Sequence, residues 1–428
     1  MGEDRVAVRL AYGEGGLQVD LPRDRTTVVE PTFAEASDDQ RGLLRDALRR
    51  PVHGPPLREI VKPGQRVAIS MCDGTRPQPR HLMIPAVLEE LEGIVDLEDV
   101  VVLVATGTHR GNTETEIRAM LGDDVVQRVR VVNHDARDDA SLVYLGRHGA
   151  DVPVFLNREW VDADVRITTG FVEPHFFAGF SGGPKLVAPG LAGLETVLTL
   201  HDAKRIGDPR ATWAVCEGNP VHDDIRAVVA AVGKVDFGLD VVLNREQRIV
   251  EAFGGELSAM HLAARASAQR LAMRPVPALF DVVVTTNAGF PLDQNLYQAV
   301  KGMSAAMTVV KPGGTIVCAA ECRDGFPDHG SYREVLSSEP SPEALLATIA
   351  ARERTVPDQW QVQVQAKVQA HAQVVMRTSY LSATDLAEAH LGHTEDVAET
   401  VDAALRSAGA ESRVCVLPEG PQTIPYVA

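Results

Sequence analysis

The sequence predicts an α/β protein with mostly parallel sheets, arranged as two domains, and three observations predict it. Short apolar runs repeatedly end in polar or glycine-containing stretches that lead into helical patterns, the alternation of parallel α/β sheets. That alternation halts at Arg274-Pro275-Val276-Pro277 and then starts again. A length of 428 residues, with 45% hydrophobic and 24% charged residues, suits two to three ordinary globular domains.

In chain order, residues 5–10 and 17–21 read as a strand pair around Gly13, Gly15 and Gly16. Residues 33–49 read as a helix, closed by the proline-rich turn at 51–56. Arg66 to Met71 is a buried strand that runs into Asp73-Gly74-Thr75-Arg76-Pro77, and residues 80–93 form an amphipathic helix. Val101 to Gly107 is the next strand, followed by Thr108-His109-Arg110-Gly111-Asn112. Thr113 with Glu116 has the spacing of a capping box. Further strands fall at 128–134 and 165–170, and helices at 195–206, 220–233 and 256–272. The proline pair at 275 and 277 then separates a first domain, 1–274, from a second, 278–428, whose last strand is expected to be able to return to the first. The second holds strands at 281–289, 313–320, 372–378 and 413–417 and helices at 293–308, 342–352 and 357–371. With neither repeat nor low-complexity linker, the two are expected to pack with a cleft between them.

Composition narrows the function. Lys plus Arg number 42 against 59 Asp plus Glu, a net charge of −17, which argues against nucleic acid or an anionic membrane as partner. An acidic substrate then needs a local pocket of positive charge. Five cysteines without a CxxC pair indicate neither a disulfide framework nor a zinc ribbon, and a reducing cytoplasm is the expected compartment. The charged first residues do not read as a secretion signal, and no apolar run approaches the ~20 residues of a membrane span.

In open parallel sheets, ligands collect beyond the carboxyl ends of the strands. Asp73, Arg76, His109 and the 171–185 stretch all follow strands, so they converge on one edge. The stretch from Phe171 to Arg205 is rich in glycine and proline and carries His175, Lys185 and His201. Its Gly182-Gly183-Pro184-Lys185 segment is not a phosphate loop, because Pro184 separates glycine from lysine and Leu186 stands where Ser or Thr is needed. Lys185 is left as a covalent attachment point, a buried cation or a surface lysine.

Of thirteen histidines, His109, His175 and His201 sit at glycine-rich or strand-end positions. Two imidazoles can act as acid and base on opposite faces of a substrate, and a third can bind a metal. A single histidine makes a metal site only if an organic cofactor supplies the other ligands. His261 and several others lie on expected helices or turns without a partner pattern, while His134, His222 and His329 stay unassigned. Arg76 suits a carboxylate. Tyr297 and Lys301 share a helix face, and Lys301 adds a second cation.

These segments resemble, taken together, the lactate racemase family that uses a nickel-pincer nucleotide. The resemblance spans nearly the whole chain and is carried by Asp73 to Pro77, Gly107 to Arg110, Glu173-Pro174-His175, Ser181 to Lys185, the His201 region, Pro291 to Met303 and Asp358-Gln359-Trp360. It implies a racemase or epimerase of a 2-hydroxy carboxylic acid, working by reversible hydride transfer through a 2-keto acid. Lys185 would carry the cofactor, pyridinium-3,5-bisthiocarboxylic acid mononucleotide, and His201 would complete the nickel site. His109 and His175 would be the acid–base pair. Arg76, Tyr297, Gln298, Lys301 and Trp360 would hold the substrate. Asp73, Gly74, Thr75, Arg76, Gly183 and Pro184 would lie against the cofactor. The same resemblance implies helper proteins that make the nucleotide and insert nickel. The glycine at position 74 widens the expected substrate range beyond lactate. Two other readings compete: a pyridoxal phosphate racemase with Lys185 as its Schiff base, and a carrier that binds nickel or nucleotide without turnover.

Overall fold

The computed structural model describes every residue except 1–3, 33 and 329. Phe33, where the first helix is expected to begin, and His329 lie outside the described residues. The chain forms two compact units: Phe33–His201 with Asp208–Leu271, and Met1–Thr32 with Asp202–Gly207 and Ala272–Ala428. The described residues up to Thr32, and residues 202–207, thus cluster with the C-terminal part of the chain.

The 33–201/208–271 unit is built on a six-stranded sheet in the order Ile249–Gly255, Phe237–Leu243, Val165–Phe171, Val67–Cys72, Val100–Ala105, Arg130–Asn133. All neighbours are parallel except the first pair. Every residue of Val67–Cys72 is buried, as expected of a central parallel strand covered on both faces. From that strand the chain builds outward through 100–105 to 130–133, then returns to its other side with 165–171. The reversal makes the carboxyl ends of 67–72 and 165–171 the topological switch point, where such sheets bind ligands. Those two ends lead into Asp73 and into the Lys185 loop.

Local chemistry sets the helices of this unit. Helix Gln40–Arg49 begins later than the pattern suggests, because the Asp39 carboxylate accepts from Gly42 N–H at 2.8 Å and starts it there. The capping box is present in both directions: Glu116 N–H donates to Thr113 Oγ1 at 3.2 Å and Thr113 N–H to Glu116 Oε2 at 2.7 Å. The expected helix 195–206 is broken. Leu194–Leu200 ends with His201 as its C-terminal cap, and Ala203–Gly207 belongs to the other unit. Sequence patterning passes over the hairpin Leu142–His148 with Val152–Asn157 and the strands at 237–243 and 249–255.

The other unit holds an all-parallel six-stranded sheet in the order Gly392–His393, Gln373–Arg377, Val310–Ala319, Phe280–Thr286, Val414–Leu417, Thr26–Val28. Its last edge strand explains why the N-terminal residues cluster here: Thr26–Val28 pairs with Val414–Leu417. The hairpin Arg5–Leu10 with Leu17–Pro22 packs Leu10 and Leu21 into the core under this sheet, beside Val282 and Val401. The last strand, Ile424–Val427, pairs in parallel with Met273–Val276 inside this unit. Among the described residues no helix is long and apolar enough to cross a membrane.

Candidate functional site

The turn after strand 67–72 is built around a buried guanidinium. Arg80 Nε donates to Cys72 O at 2.8 Å, Nη1 to Gln78 O at 3.1 Å, and Nη2 to the carbonyls of Asp73 and Arg76. Gln78 closes the turn by accepting from Cys72 N–H at 2.7 Å and donating to Thr169 Oγ1 at 3.0 Å. So held, Asp73 is 3% exposed. Its Oδ2 lies 2.6 Å from His109 Nδ1, and its Oδ1 accepts from Thr75 N–H at 3.1 Å and Thr75 Oγ1 at 2.6 Å. Burial alone would raise the Asp73 pKa, but His109, Thr75 and Arg76 outweigh it and hold the carboxyl below its ordinary value. An ionised carboxylate only accepts, so the His109 proton sits on Nδ1 and the lone pair of the neutral ring on Nε2. The His109 side chain is about half exposed, at 47%.

A pocket of about 290 Å³ opens beside this pair, lined by Asp73, Gly74, Thr75 and His109 together with Asn112 and Met120. Gly74 N–H donates to Asn112 Oδ1 at 3.2 Å, and a Cβ on Gly74 would stand 2.7 Å from Asn112 Nδ2. The bare position thus leaves Asn112 in place against the pocket. Arg76 is exposed nearby.

The second strand end carries the Lys185 loop. Pro174–His175 pairs with Gly179–Phe180, and Gly179 takes a φ of +78° where a Cβ would stand 2.3 Å from Val215 O. His175 Nδ1 accepts from Phe177 N–H at 3.4 Å and Ala178 N–H at 3.3 Å, so its neutral ring carries the proton on Nε2. The half-buried Lys185 side chain leans over the Phe177 ring, with Nζ 5.8 Å from the centroid. His175 meets the same ring edge-on at 4.5 Å and His201 at 5.4 Å. Phe177 itself is buried. His201 Nδ1 donates to Val197 O at 2.7 Å, which fixes the ring and its tautomer. The loop is tied back to its neighbours where Ser70 Oγ donates to Leu186 O at 2.7 Å and Gly107 N–H to Gly190 O at 2.9 Å.

Among the sequence-predicted residues, one unit therefore holds Asp73, Gly74, Thr75, Arg76, His109, His175, Gly183, Pro184, Lys185 and His201. The structure brings His175, Lys185 and His201 onto one aromatic ring and Asp73 onto His109. The other unit holds Tyr297, Gln298 and Lys301 on helix Leu296–Met307, capped by Asn295, whose side chain accepts from Gln298 N–H at 3.1 Å. Trp360, at the start of helix Gln359–His371, donates from Nε1 to Tyr297 Oη at 3.2 Å.

Sequence reasoning passes over Phe177, Arg80 and Asp240 and leaves His261 without a partner. Phe177 stands among phenylalanines and has no signal of its own. Asp240 had one: it is a lone acid inside the apolar strand Phe237–Leu243. His261 Nε2 donates to Ser181 O at 2.9 Å.

Comparison with known proteins adds family evidence. The model for the lactate racemase N-terminal domain matches residues 12–214, and that for the lactate racemase C-terminal domain matches 276–424. The chain is 33% identical to a lactate racemase of Thermoanaerobacterium thermosaccharolyticum, over 97% of this chain and 98% of that protein. It is 32% identical to a lactate racemase of Lactiplantibacillus plantarum, over 94% of this chain and 98% of that protein. The solved lactate racemase apoprotein from Thermoanaerobacterium thermosaccharolyticum superposes with a TM-score of 0.91 at 32% identity, covering 98% of this chain and 100% of that one. A Thermotoga maritima protein with a TM-score of 0.66 and 18% identity, covering 93% of this chain and 100% of that one, shares the fold.

Proposed function

The chain belongs to the lactate racemase family, and from that premise we propose that it inverts C2 of lactate or a larger 2-hydroxy acid with a nickel-pincer nucleotide bound at Lys185. The observation that carries the reading is the shared contact of His175, Lys185 and His201 with the Phe177 ring. Around that one apolar floor lie an amine and two imidazoles, the groups this reading assigns to covalent attachment, to nickel and to acid–base work.

The residues present fit the nucleotide. The backbone before Lys185 runs through Gly182 and Gly183 with φ of +73° and +50°, a shape that lets the main chain come close to a ligand. The His201 tautomer offers Nε2, and soft sulfur donors with one imidazole suit nickel. When bound, the nucleotide supplies a reversible hydride acceptor, which spares the protein from removing a weakly acidic Cα–H as a proton.

What this chain's own residues do is move the hydroxyl proton and hold the acid. His109, with its lone pair on Nε2, is set to take the proton of one enantiomer, and the Asp73 carboxylate stabilises the imidazolium that results. His175, with its proton on Nε2, is set to return one from the other side to the planar 2-keto acid. For the opposite enantiomer the two exchange roles. Arg76, Gln298 and Lys301 are assigned the substrate carboxylate, and Tyr297 and Trp360 the walls. The acid–base roles and the contact residues rest on family membership joined to these tautomers.

The test is production of the protein together with the enzymes that make the nucleotide. Peptide mass of the Lys185 segment, bound nickel, and C2 exchange of single-enantiomer 2-hydroxy acids in deuterated buffer are then measured. We expect a mass adduct at Lys185, nickel that is lost in His201→Ala, and racemised product with little deuterium at C2. Full solvent labelling at C2 would overturn the hydride route, and loaded protein inert toward every 2-hydroxy acid would overturn the reaction.

A further inference from the structure

The loop that carries Lys185 is gripped from beneath by two buried titratable side chains that the reaction does not use. Gly183 N–H donates to Asp240 Oδ2 at 2.7 Å, and His261 Nε2 donates to Ser181 O at 2.9 Å. Asp240 is 0% exposed in the middle of strand 237–243, and His261 is 4% exposed on helix Leu257–Ala272. They come from different elements and meet main-chain groups two residues apart.

The fit leaves no slack. A Cβ on Gly182 would stand 2.7 Å from Asp240 Oδ2, one on Gly183 2.6 Å from His261 Cγ, and one on Gly170 2.8 Å from Asp240 Oδ1. The glycines flanking the grip are thus required by the side chains that make it. Lys185 N–H donates to Gly182 O at 3.1 Å, so the lysine main chain hangs directly on the gripped segment.

The chemistry of the pair suits a permanent hold. Burial drives the Asp240 carboxyl up to about 7, with only the Gly183 N–H pulling it back. Burial drives His261 down to about 3 against the Ser181 carbonyl, and Arg265, His222 and Lys185 push the same way. A carboxyl with no cation to neutralise it and an imidazole that stays uncharged serve as one acceptor and one donor. Asp240 Oδ1 finds no hydrogen-bond partner among the described residues, which a purely structural strand position would not call for.

We propose that Asp240 and His261 are positioning residues for Lys185: together they set the main chain from Ser181 to Lys185 so that the lysine amine is presented for covalent attachment. The proposal rests on attachment at Lys185. Its test therefore has one arm that needs no cofactor.

In the cofactor-free protein, the rate at which acetic anhydride labels Lys185, relative to the other lysines, is measured by peptide mass for wild type, Asp240→Asn, Asp240→Leu and His261→Gln. Amide exchange of the 179–187 segment is followed alongside. Asp240→Asn keeps an acceptor of the same shape and is expected to match wild type within about threefold, whereas Asp240→Leu keeps volume but removes the acceptor. We expect Asp240→Leu to change Lys185 labelling by about tenfold or more, with the other lysines unmoved and 179–187 exchanging faster. In protein made with the nucleotide pathway, covalent occupancy of Lys185 should fall about tenfold in Asp240→Leu and recover in Asp240→Asn. Wild-type labelling and exchange in Asp240→Leu would overturn the proposal, as would equal loss in Asn and Leu. If Asp240→Leu does not fold, His261→Gln decides by the same readings, wild-type values again counting against the clamp. A wild-type protein that never gains an adduct at Lys185 would sink the attachment reading, while the cofactor-free arm would still decide the clamp.

Discussion

Asp73 and Asp240 are carboxyls at the same sheet, and their surroundings shift their pKa values in opposite directions. Asp73 stands at the end of strand 67–72, where an imidazole and a hydroxyl meet it and Arg76 is close by, and its pKa is lowered. Asp240 stands inside strand 237–243, meets one backbone N–H, and is pushed up to about 7. Burial opposes ionisation in both. What separates them is whether charge or hydrogen bonding from partners exceeds the desolvation cost. The lesson is that the end of a strand can gather partners from several loops, while its middle is walled by apolar neighbours and raises the pKa of an acid placed there. The first arrangement suits a group that stabilises charge as it develops, the second a group that must hold still.

The strongest challenge to this contrast removes charge at Asp73 alone. Asp73→Asn keeps the shape but offers His109 an amide N–H, inverting the tautomer that leaves Nε2 as base. Racemisation should fall by about 10²–10⁴-fold, with Lys185 occupancy by mass unchanged. Activity within threefold of wild type would remove Asp73 from the chemistry.

Next comes pH. For Asp240, the folded value lies above the unfolded one, so its share of stability is complete below about 4 and is lost as pH rises through about 7. Taking 3.8 to about 7 at face value, roughly 4 kcal/mol is the upper limit of that loss. Asp240→Asn should flatten it, so urea midpoints at pH 5 and pH 8 should differ less in the variant than in wild type. Asp73 has the opposite sign: its contribution is present above the unfolded value and disappears as pH falls through its lowered folded one. A variant profile parallel to wild type between pH 5 and pH 8 would contradict a raised Asp240 pKa.

A smaller effect separates crowding from backbone freedom. Gly183→Ala meets His261 at 2.6 Å with φ at +50°, while Gly64 has φ at +77° and nothing within 4 Å. The first should cost about 2–3 kcal/mol and the second about 1 kcal/mol in urea unfolding. The smallest expected effect is Thr113→Ala, which opens the capping box beyond the His109 turn. It should cost about 1 kcal/mol of stability and leave Lys185 labelling untouched, because that loop is held from the Asp240 side.

Much of the candidate site was singled out before any fold was known. Asp73, His109, His175, Lys185 and His201 stood out as candidates because they follow apolar strands or lie amid glycine and proline, at the strand ends where parallel sheets bind ligands. Strand 67–72 and helix 296–307 were readable from their periodicity, and Thr113 with Glu116 from spacing alone. Other features were hidden. The helix through 195–206 has unbroken periodicity, yet the chain leaves one unit at His201. His261 looks like any helix histidine until Ser181, eighty positions earlier in the chain, supplies its acceptor.

The amino-acid order by itself determined the central strands of each sheet, which loops must bend around glycine, and to which family the chain belongs, since apolar runs, turn chemistry and motif order are local properties. Tertiary structure alone decided that residues 26–28 complete the C-terminal sheet, that one phenylalanine ring joins a lysine to two histidines, and that one aspartate has its pKa lowered while another has it raised. Strand partnership and a carboxyl's charge depend on groups brought close only by folding, and on how much water folding leaves around them.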